Sequence, residues 1–290
     1  MAKYHLAIIV FCSCPLSLAQ GQSFHDTPAD LSPTAERLKA LESNPDDHPV
    51  VMLKLVKYKS GTGRESYGKY LETSVPRIRE LGGEILFYGK AKSVDSDLID
   101  ETKLFGWRTS PWDGVVLEKY RSRKDFGKLS ESEDYRKGLI HRRDGLENTV
   151  VYALNGTRRP IVGVKPTVAA VDIQPDHPHP AFYMLNLLKF KPGGEKLYFE
   201  EYGRPVTKLI VKKHHGKIIY GLKPEQIIIG EEQYDRVILV MYPSIEEFAQ
   251  MIQSEEYQKV SHYRTDAIEL GHLFAFTSES EALKRLNERK

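Results

Sequence analysis

The feature that most constrains this chain is that it contains one pattern twice. Residues 52–59 (Met-Leu-Lys-Leu-Val-Lys-Tyr-Lys) return as residues 184–191 (Met-Leu-Asn-Leu-Leu-Lys-Phe-Lys), with five of eight positions identical. A longer match follows at an offset of 122. Asp113, Val115, Leu117, Tyr120, Ser122 and Phe126 recur as Asp235, Val237, Leu239, Tyr242, Ser244 and Phe248. Ser132, Glu133, Tyr135, Lys137 and Arg142 recur as Ser254, Glu255, Tyr257, Lys259 and Arg264. Asp144, Glu147 and Ala153 against Asp266, Glu269 and Ala275 complete fourteen identities in 41 positions. A period above a hundred residues implies two tandem domains and excludes a solenoid of short repeats.

Each copy carries the same succession of signals. Residues 50–58 and 182–190 are short apolar runs of β-branched and aromatic type, which predicts strands. Helical patterns follow over 65–81 and 196–213, interrupted by Pro76 and Pro205 and closed by Gly82-Gly83 and Gly216. The second of these is longer by about one turn. Strands are expected over 84–88 and 217–220, then, after a variable loop, over 115–120 and 237–242. Ser122 and Ser244 each precede an acid by three residues, and Ser132 and Ser254 precede a glutamate by one. A serine oxygen accepts an amide proton from the first helical turn, so these four positions predict helix starts. Last strands are expected over 150–154 and 273–276.

The order is β-α-β-β-α-β twice, which predicts an α+β fold of two ferredoxin-like repeats. Helices would cover one face of each four-stranded antiparallel sheet. The opposite faces are also apolar, so the two sheets are expected to pack together as a pseudo-dimeric α/β barrel within one chain, with room for a homodimer. The expected organisation is a signal peptide over 1–19, a flexible leader over 20–49 with a short helical pattern at 35–41, repeats over 50–154 and 181–277, a proline-rich linker over 155–180 and a tail over 278–290.

The signal peptide rests on Lys3, the apolar run 6–11 and Ser17-Leu18-Ala19, with cleavage before Gln20. The apolar run is too short to span a bilayer. A secreted or periplasmic protein follows; a lipoprotein signal ending at Cys14 and an apolar cytosolic N-terminus are the alternatives. Cys12 and Cys14 are the only cysteines. The mature chain would therefore have no disulfide, cysteine nucleophile or thiolate metal site. Asn155-Gly156-Thr157 fits a glycosylation acceptor or a plain turn. Forty-two basic and forty acidic side chains give a net charge of +2, which offers no electrostatic reason to expect nucleic acid as partner.

The runs 184–190, Tyr234-Asp235, Tyr242-Pro243-Ser244 with Phe248, and 254–257 with Arg264 resemble an uncharacterised domain-of-unknown-function branch of the dimeric α/β-barrel superfamily. The resemblance covers residues 181–277 closely. It covers residues 50–153 with departures at Lys54, where the pattern has asparagine, and at Arg121, where it has proline. It implies an eight-stranded barrel made from two such domains. Related branches hold cofactor-free monooxygenases, haem-degrading enzymes, muconolactone-type isomerases and haem peroxidases, so fold alone does not choose a reaction.

Asn186 is the principal candidate site residue, because a carboxamide inside an apolar strand needs partners. It could donate to a substrate oxygen, as stabilising an enolate or phenolate requires, or it could tie down the protein's own backbone. Lys54, at the equivalent place, would snorkel out or pair with an acid. Tyr198 and Tyr202, four apart on one helix, fit a pocket phenol or core packing. His214, followed by His215, fits a helix-end cap or a general base. Arg264 could bind a substrate anion or pair with Asp235, itself a candidate substrate contact. A haem would need an axial ligand from His214, His215, His262 or His272. Asp176-His177-Pro178-His179 lacks a third metal ligand, and no phosphate loop or zinc motif occurs. The expectation is a small, partly apolar ligand, no metal and no cofactor, with a cofactor-free oxidoreductase or isomerase activity. The alternative is a non-catalytic binding or structural protein.

Overall fold

The computed structural model describes residues 31–93, 110–156 and 181–288. The expected signal peptide with both cysteines, most of the linker with its Asp-His-Pro-His run, and Thr157 lie outside the described residues.

Eight antiparallel strands close into a barrel in the order β1-β3-β2-β8-β5-β7-β6-β4. The N-terminal half supplies β1 (Val50–Tyr58), β2 (Glu84–Ala91), β3 (Gly114–Tyr120) and β4 (Leu146–Asn155). The C-terminal half supplies β5 (Phe182–Phe190), β6 (Lys217–Ile229), β7 (Arg236–Tyr242) and β8 (Ile268–Ser278). Within each half the first strand lies between the third and the last, as the split β-α-β arrangement requires. The halves join at β2–β8 and β4–β6, so no described strand leaves an open edge.

Alternation along the strands separates two environments. Tyr183, Leu185 and Leu187 face the barrel interior with Leu53, Leu55, Phe87, Tyr152, Phe274 and Phe276, a packed core. Phe182, Met184 and Leu188 face outward under the helices, and Asn186 shares that face. The helices are α1 (Ala35–Glu42), α2 (Gly63–Glu80), α3 (Arg123–Glu131) and α4 (Glu133–Gly145) in the first half. The second half has α5 (Gly194–Leu197), a π-helical turn (Tyr198–Gly203), α6 (Arg204–Lys212), α7 (Ile245–Gln253), α8 (Glu255–Ala267) and α9 (Ser280–Asn287). All four serine caps form: Ser122, Ser132, Ser244 and Ser254 accept from the amides of Asp125, Tyr135, Glu247 and Tyr257.

Four expectations need correction. Pro76 does not interrupt its helix; α2 runs through it, held by the buried face that includes Tyr67, Tyr70, Leu71, Val75 and Ile78. β6 runs thirteen residues, well past the expected 217–220, and its far end pairs with β4 to close the barrel. The segment reads as a loop because Pro224 cannot donate to a ladder, and the structure places Pro224 where the β4–β6 register shifts. The expected tail contains α9, whose Leu283 is buried against the N-terminal half, while Asn287 brackets Ile85 by donating to its carbonyl and accepting from its amide. The leader is bound too: Leu41 of α1 is buried, and Gln226 of β6 donates to the carbonyl of Arg37.

Arg123 ties the leader and the two halves together. Its guanidinium is 1% exposed, forks onto Glu225 of β6, and donates to the carbonyls of Asp46 and His48. Removing a buried partner leaves the other charge uncompensated. Arg123→Ala should therefore lower stability by about 2–4 kcal/mol in urea denaturation, through lost bonds and a stranded Glu225. A loss within error of zero would mean that this network is not a clamp.

Candidate functional site

The two halves differ most at one pair of positions on the helix-facing side. In the N-terminal half, Lys54 is 5% and Glu118 0% exposed, and Lys54 Nζ donates to Glu118 Oε1 at 2.6 Å. Tyr120 Oη donates to Glu118 Oε2 at 2.7 Å, and the Lys54 ammonium lies 5.7 Å from the centre of the Tyr70 ring. Lys54 thus pairs with an acid and fills its side of the half. Strand register puts Asn186 at the place of Lys54 and Val240 at the place of Glu118. With two long side chains replaced by shorter ones, a cavity of about 340 Å³ opens there.

One residue in the helix above contributes to the same difference. From Gly63, packed on the carbonyl of Gly145, to Ile78 is fifteen positions; from Gly194, packed on the carbonyl of Ala267, to Ile210 is sixteen. The extra residue is absorbed by the π-helical turn, not by the full extra turn the sequence suggests. The turn ends just before Pro205, whose missing N–H removes an ordinary helical bond there in any case. Tyr198 and Tyr202 sit in this turn with rings 5.0 Å apart, and both line the cavity.

Asn186, Tyr198, Tyr202 and Arg264 are brought together; His214 and Asp235 are not among the lining residues. Asn186 Nδ2 donates to the carbonyls of Met184 and Ile238, each at 3.3 Å. Only an amide N–H₂ can serve two carbonyls, so Asn186 offers the cavity its oxygen, an acceptor. The expectation of a donor for an enolate is corrected on that ground. Arg264 is 3% exposed and bonds the hydroxyl of Tyr198. Asp235 instead accepts from the amide of Phe190 at 2.8 Å and pins β7 to β5, as Asp113 pins β3 to β1 by accepting from Tyr58. His214 Nδ1 lies 3.0 Å from Glu247 Oε2 at the end of α6, and His215 takes the left-handed position (φ 51°) that stops the helix. His272 stacks on Phe274 on the barrel-interior strand face and His262 lies against the Tyr263 ring, and among the described residues no histidine lines the cavity as a haem ligand would.

Residues not anticipated complete the wall. Tyr242 and Tyr257 are buried, and the Tyr257 and Tyr202 hydroxyls lie 3.5 Å apart. Their signal was present, since both recur from Tyr120 and Tyr135. Met184, Ile218, Ile238 and Leu273 supply apolar surface. At the rim are the exposed Glu200 and Arg204 and the half-buried Phe199, with Arg236 bridged to Glu195 at 2.5 Å. Burial pushes the Tyr198, Tyr242 and Tyr257 phenols above their ordinary value, so they act as neutral donors and not as phenolate bases. Among the described residues no cluster of three or more His, Cys, Asp or Glu could hold a metal, and no helix is long and apolar enough to cross a membrane.

A closed antiparallel barrel with helices outside is the fold of the dimeric α/β barrels. Residues 193–276 match the family model described as a domain of unknown function (DUF1330). A protein of unknown function from Rhodopseudomonas palustris is 25% identical over 45% of this chain and 99% of its own, with a TM-score of 0.39. A candidate monooxygenase from Fusobacterium nucleatum is 11% identical over 80% of this chain and 92% of its own, with a TM-score of 0.50. A chlorite dismutase mutant from Candidatus Nitrospira defluvii is 12% identical over 88% of this chain and 100% of its own, with a TM-score of 0.47. No protein of curated function matches. The Fusobacterium neighbour supports the fold alone.

The raised phenols fix the alkaline behaviour. Burial raises Tyr135 to about 12 and lifts Tyr67, Tyr120, Tyr198 and Tyr242 as well. An unfolded tyrosine titrates near about 10. Their contribution is complete below that pH and is lost as pH rises toward the folded values, because the unfolded chain deprotonates first. Phenolate absorbance should therefore rise together with loss of structure above about pH 10. If all sixteen tyrosines titrate reversibly with the fold intact, these phenols are not buried as described.

Proposed function

We propose that this protein binds a small, partly apolar molecule in the C-terminal cavity and acts on it as a cofactor-free oxidoreductase or isomerase. One observation carries the reading: a cavity with phenol donors, an arginine and an amide acceptor is open in one half, while an ion pair fills the equivalent place in the other. Asn186 Oδ1 would accept from a substrate hydroxyl or enol. Glu200 is the carboxylate among the lining residues, and it would take the substrate proton. An isomerase returns that proton to another carbon; an oxidoreductase passes the substrate electrons to dioxygen. Because Glu200 is exposed, a non-catalytic binding protein is the second reading.

The two halves, in this proposal, descend from one duplicated ferredoxin-like domain, and one of the two ancestral pockets has been filled. Export through residues 1–19, to a secreted or periplasmic destination, belongs to the same proposal. It supports the absence of cysteine chemistry from the mature chain. Mass spectrometry of protein recovered from its native host should find Gln20 at the N-terminus; an intact Met1 would refute export by cleavage.

Binding is tested by thermal shift with a panel of aromatic and hydroxy acids, followed by aerobic incubation and mass analysis of any ligand found. Asn186→Leu should weaken binding about tenfold or more by deleting the acceptor, and should also lower the melting temperature by several degrees, because the carbonyls of Met184 and Ile238 lose their amide donor. Glu200→Gln should keep binding and stop turnover. Asn186→Leu with unchanged binding would remove the amide from the site. Turnover by Glu200→Gln would remove the proposed base.

A further inference from the structure

The N-terminal half shows what the C-terminal cavity lacks. Register makes Tyr120 the counterpart of Tyr242 and Glu118 the counterpart of Val240. Arg142 and Arg264 occupy the same place, each in the last turn of its helix with its carbonyl accepting from the strand that follows. The tyrosines correspond as well: Tyr70 meets Tyr135 edge-on at 6.1 Å, and Tyr202 meets Tyr257 in the same manner at 6.1 Å. In the first half these phenols lie around the carboxylate of Glu118, which accepts from Tyr120 Oη and from Lys54 Nζ, while Arg142 donates to the carbonyl of Leu31. In the second half the phenols and the arginine remain, the carboxylate and its lysine partner are both replaced, and open volume stands beside Val240.

We propose that the ligand of the cavity is a carboxylate, whose charged group takes, near Tyr242 and Arg264, the place that Glu118 fills beside Tyr120. The inference rests on the reading of the cavity as a ligand site and adds the ligand's chemical class. The electrostatics agree. The charged groups acting on the N-terminal phenols include both Arg142 and Glu118, whereas Tyr198, Tyr242 and Tyr257 feel Arg264 and no carboxylate. A buried guanidinium and neutral hydroxyls are donors, and a wall rich in donors favours an anion over a neutral molecule of equal shape. Among the lining residues Arg204 also carries positive charge, while Arg236 is bridged to Glu195 and Glu200 carries the opposite sign at the rim. Met184, Ile238 and Leu273 supply an apolar wall suited to a phenyl ring or a short alkyl chain.

Matched pairs test this on the full chain: phenylacetate against phenylacetamide, and hexanoate against hexanamide, by titration calorimetry. Carboxylates should bind about tenfold or more tightly than their amides, and Arg264→Gln should erase the preference. Equal binding of acid and amide would overturn the anion inference while leaving the cavity as a ligand site. Binding of neither, by a folded protein, would overturn both. Val240→Glu supplies the missing carboxylate from the chain itself. It should abolish phenylacetate binding, and a Val240→Glu protein that still binds phenylacetate as the parent does would place the anion elsewhere.

Discussion

Closure of the barrel is the constraint on which everything else depends. A four-stranded sheet has two edges, and each edge presents a row of unpaired backbone groups. In this chain the edges of one half are satisfied by those of the other, through β4–β6 and β2–β8. Closure also encloses the apolar interior faces as one core, with Leu53, Leu185 and Phe274 fully buried. Neither half could do this alone. The long β6, the bound leader and α9 all serve the seams, since each carries contacts from one half to the other.

With the interior sealed, the space for chemistry lies outside the barrel, between strands and helices. There the halves use one geometry in two ways. Lys54 and Glu118 bring charge of both signs into a buried place and satisfy it locally. A buried ion pair seldom adds net stability over apolar packing. Its effect here is to occupy volume and answer the phenol of Tyr120. Asn186 and Val240 are too short for either task, and the π-helical turn brings Tyr198 and Tyr202 to the opposite wall. Two substitutions and one added residue account for the difference between a filled place and an open one.

What could be read from the sequence divides along physical lines. Serine caps were legible because capping is local chemistry, complete within four residues. The first strands and the alternation that puts Asn186 on the helix-facing side were legible from period alone. Glu118 was not singled out, since a glutamate in a strand reads as solvent-facing until its partner Lys54 is placed across the sheet. Asp235 and His214 were misplaced as site candidates for a related reason: chain position shows that they are near the site's elements, not which way they are used. Both serve the backbone or a helix end. Pro224 hid the far half of β6, because the rule against proline in strands does not foresee a register shift at a seam.

The size of the cavity bears on whether the barrel is only a scaffold. Dry void costs about 24 cal/mol per Å³. The 340 Å³ space is not sealed, since exposed Glu200 and Arg204 stand at its mouth; its cost is that of leaving an apolar wall wet. A chain under selection for folding alone has a cheaper solution in its own other half, where two longer side chains fill the same place. The open side is instead walled with groups that bind water or ligand well: four phenols, an amide oxygen and the guanidinium of Arg264. Such a wall makes the volume tolerable when hydrated and useful when a ligand displaces that water. The asymmetry between the halves therefore argues for a site that is held open.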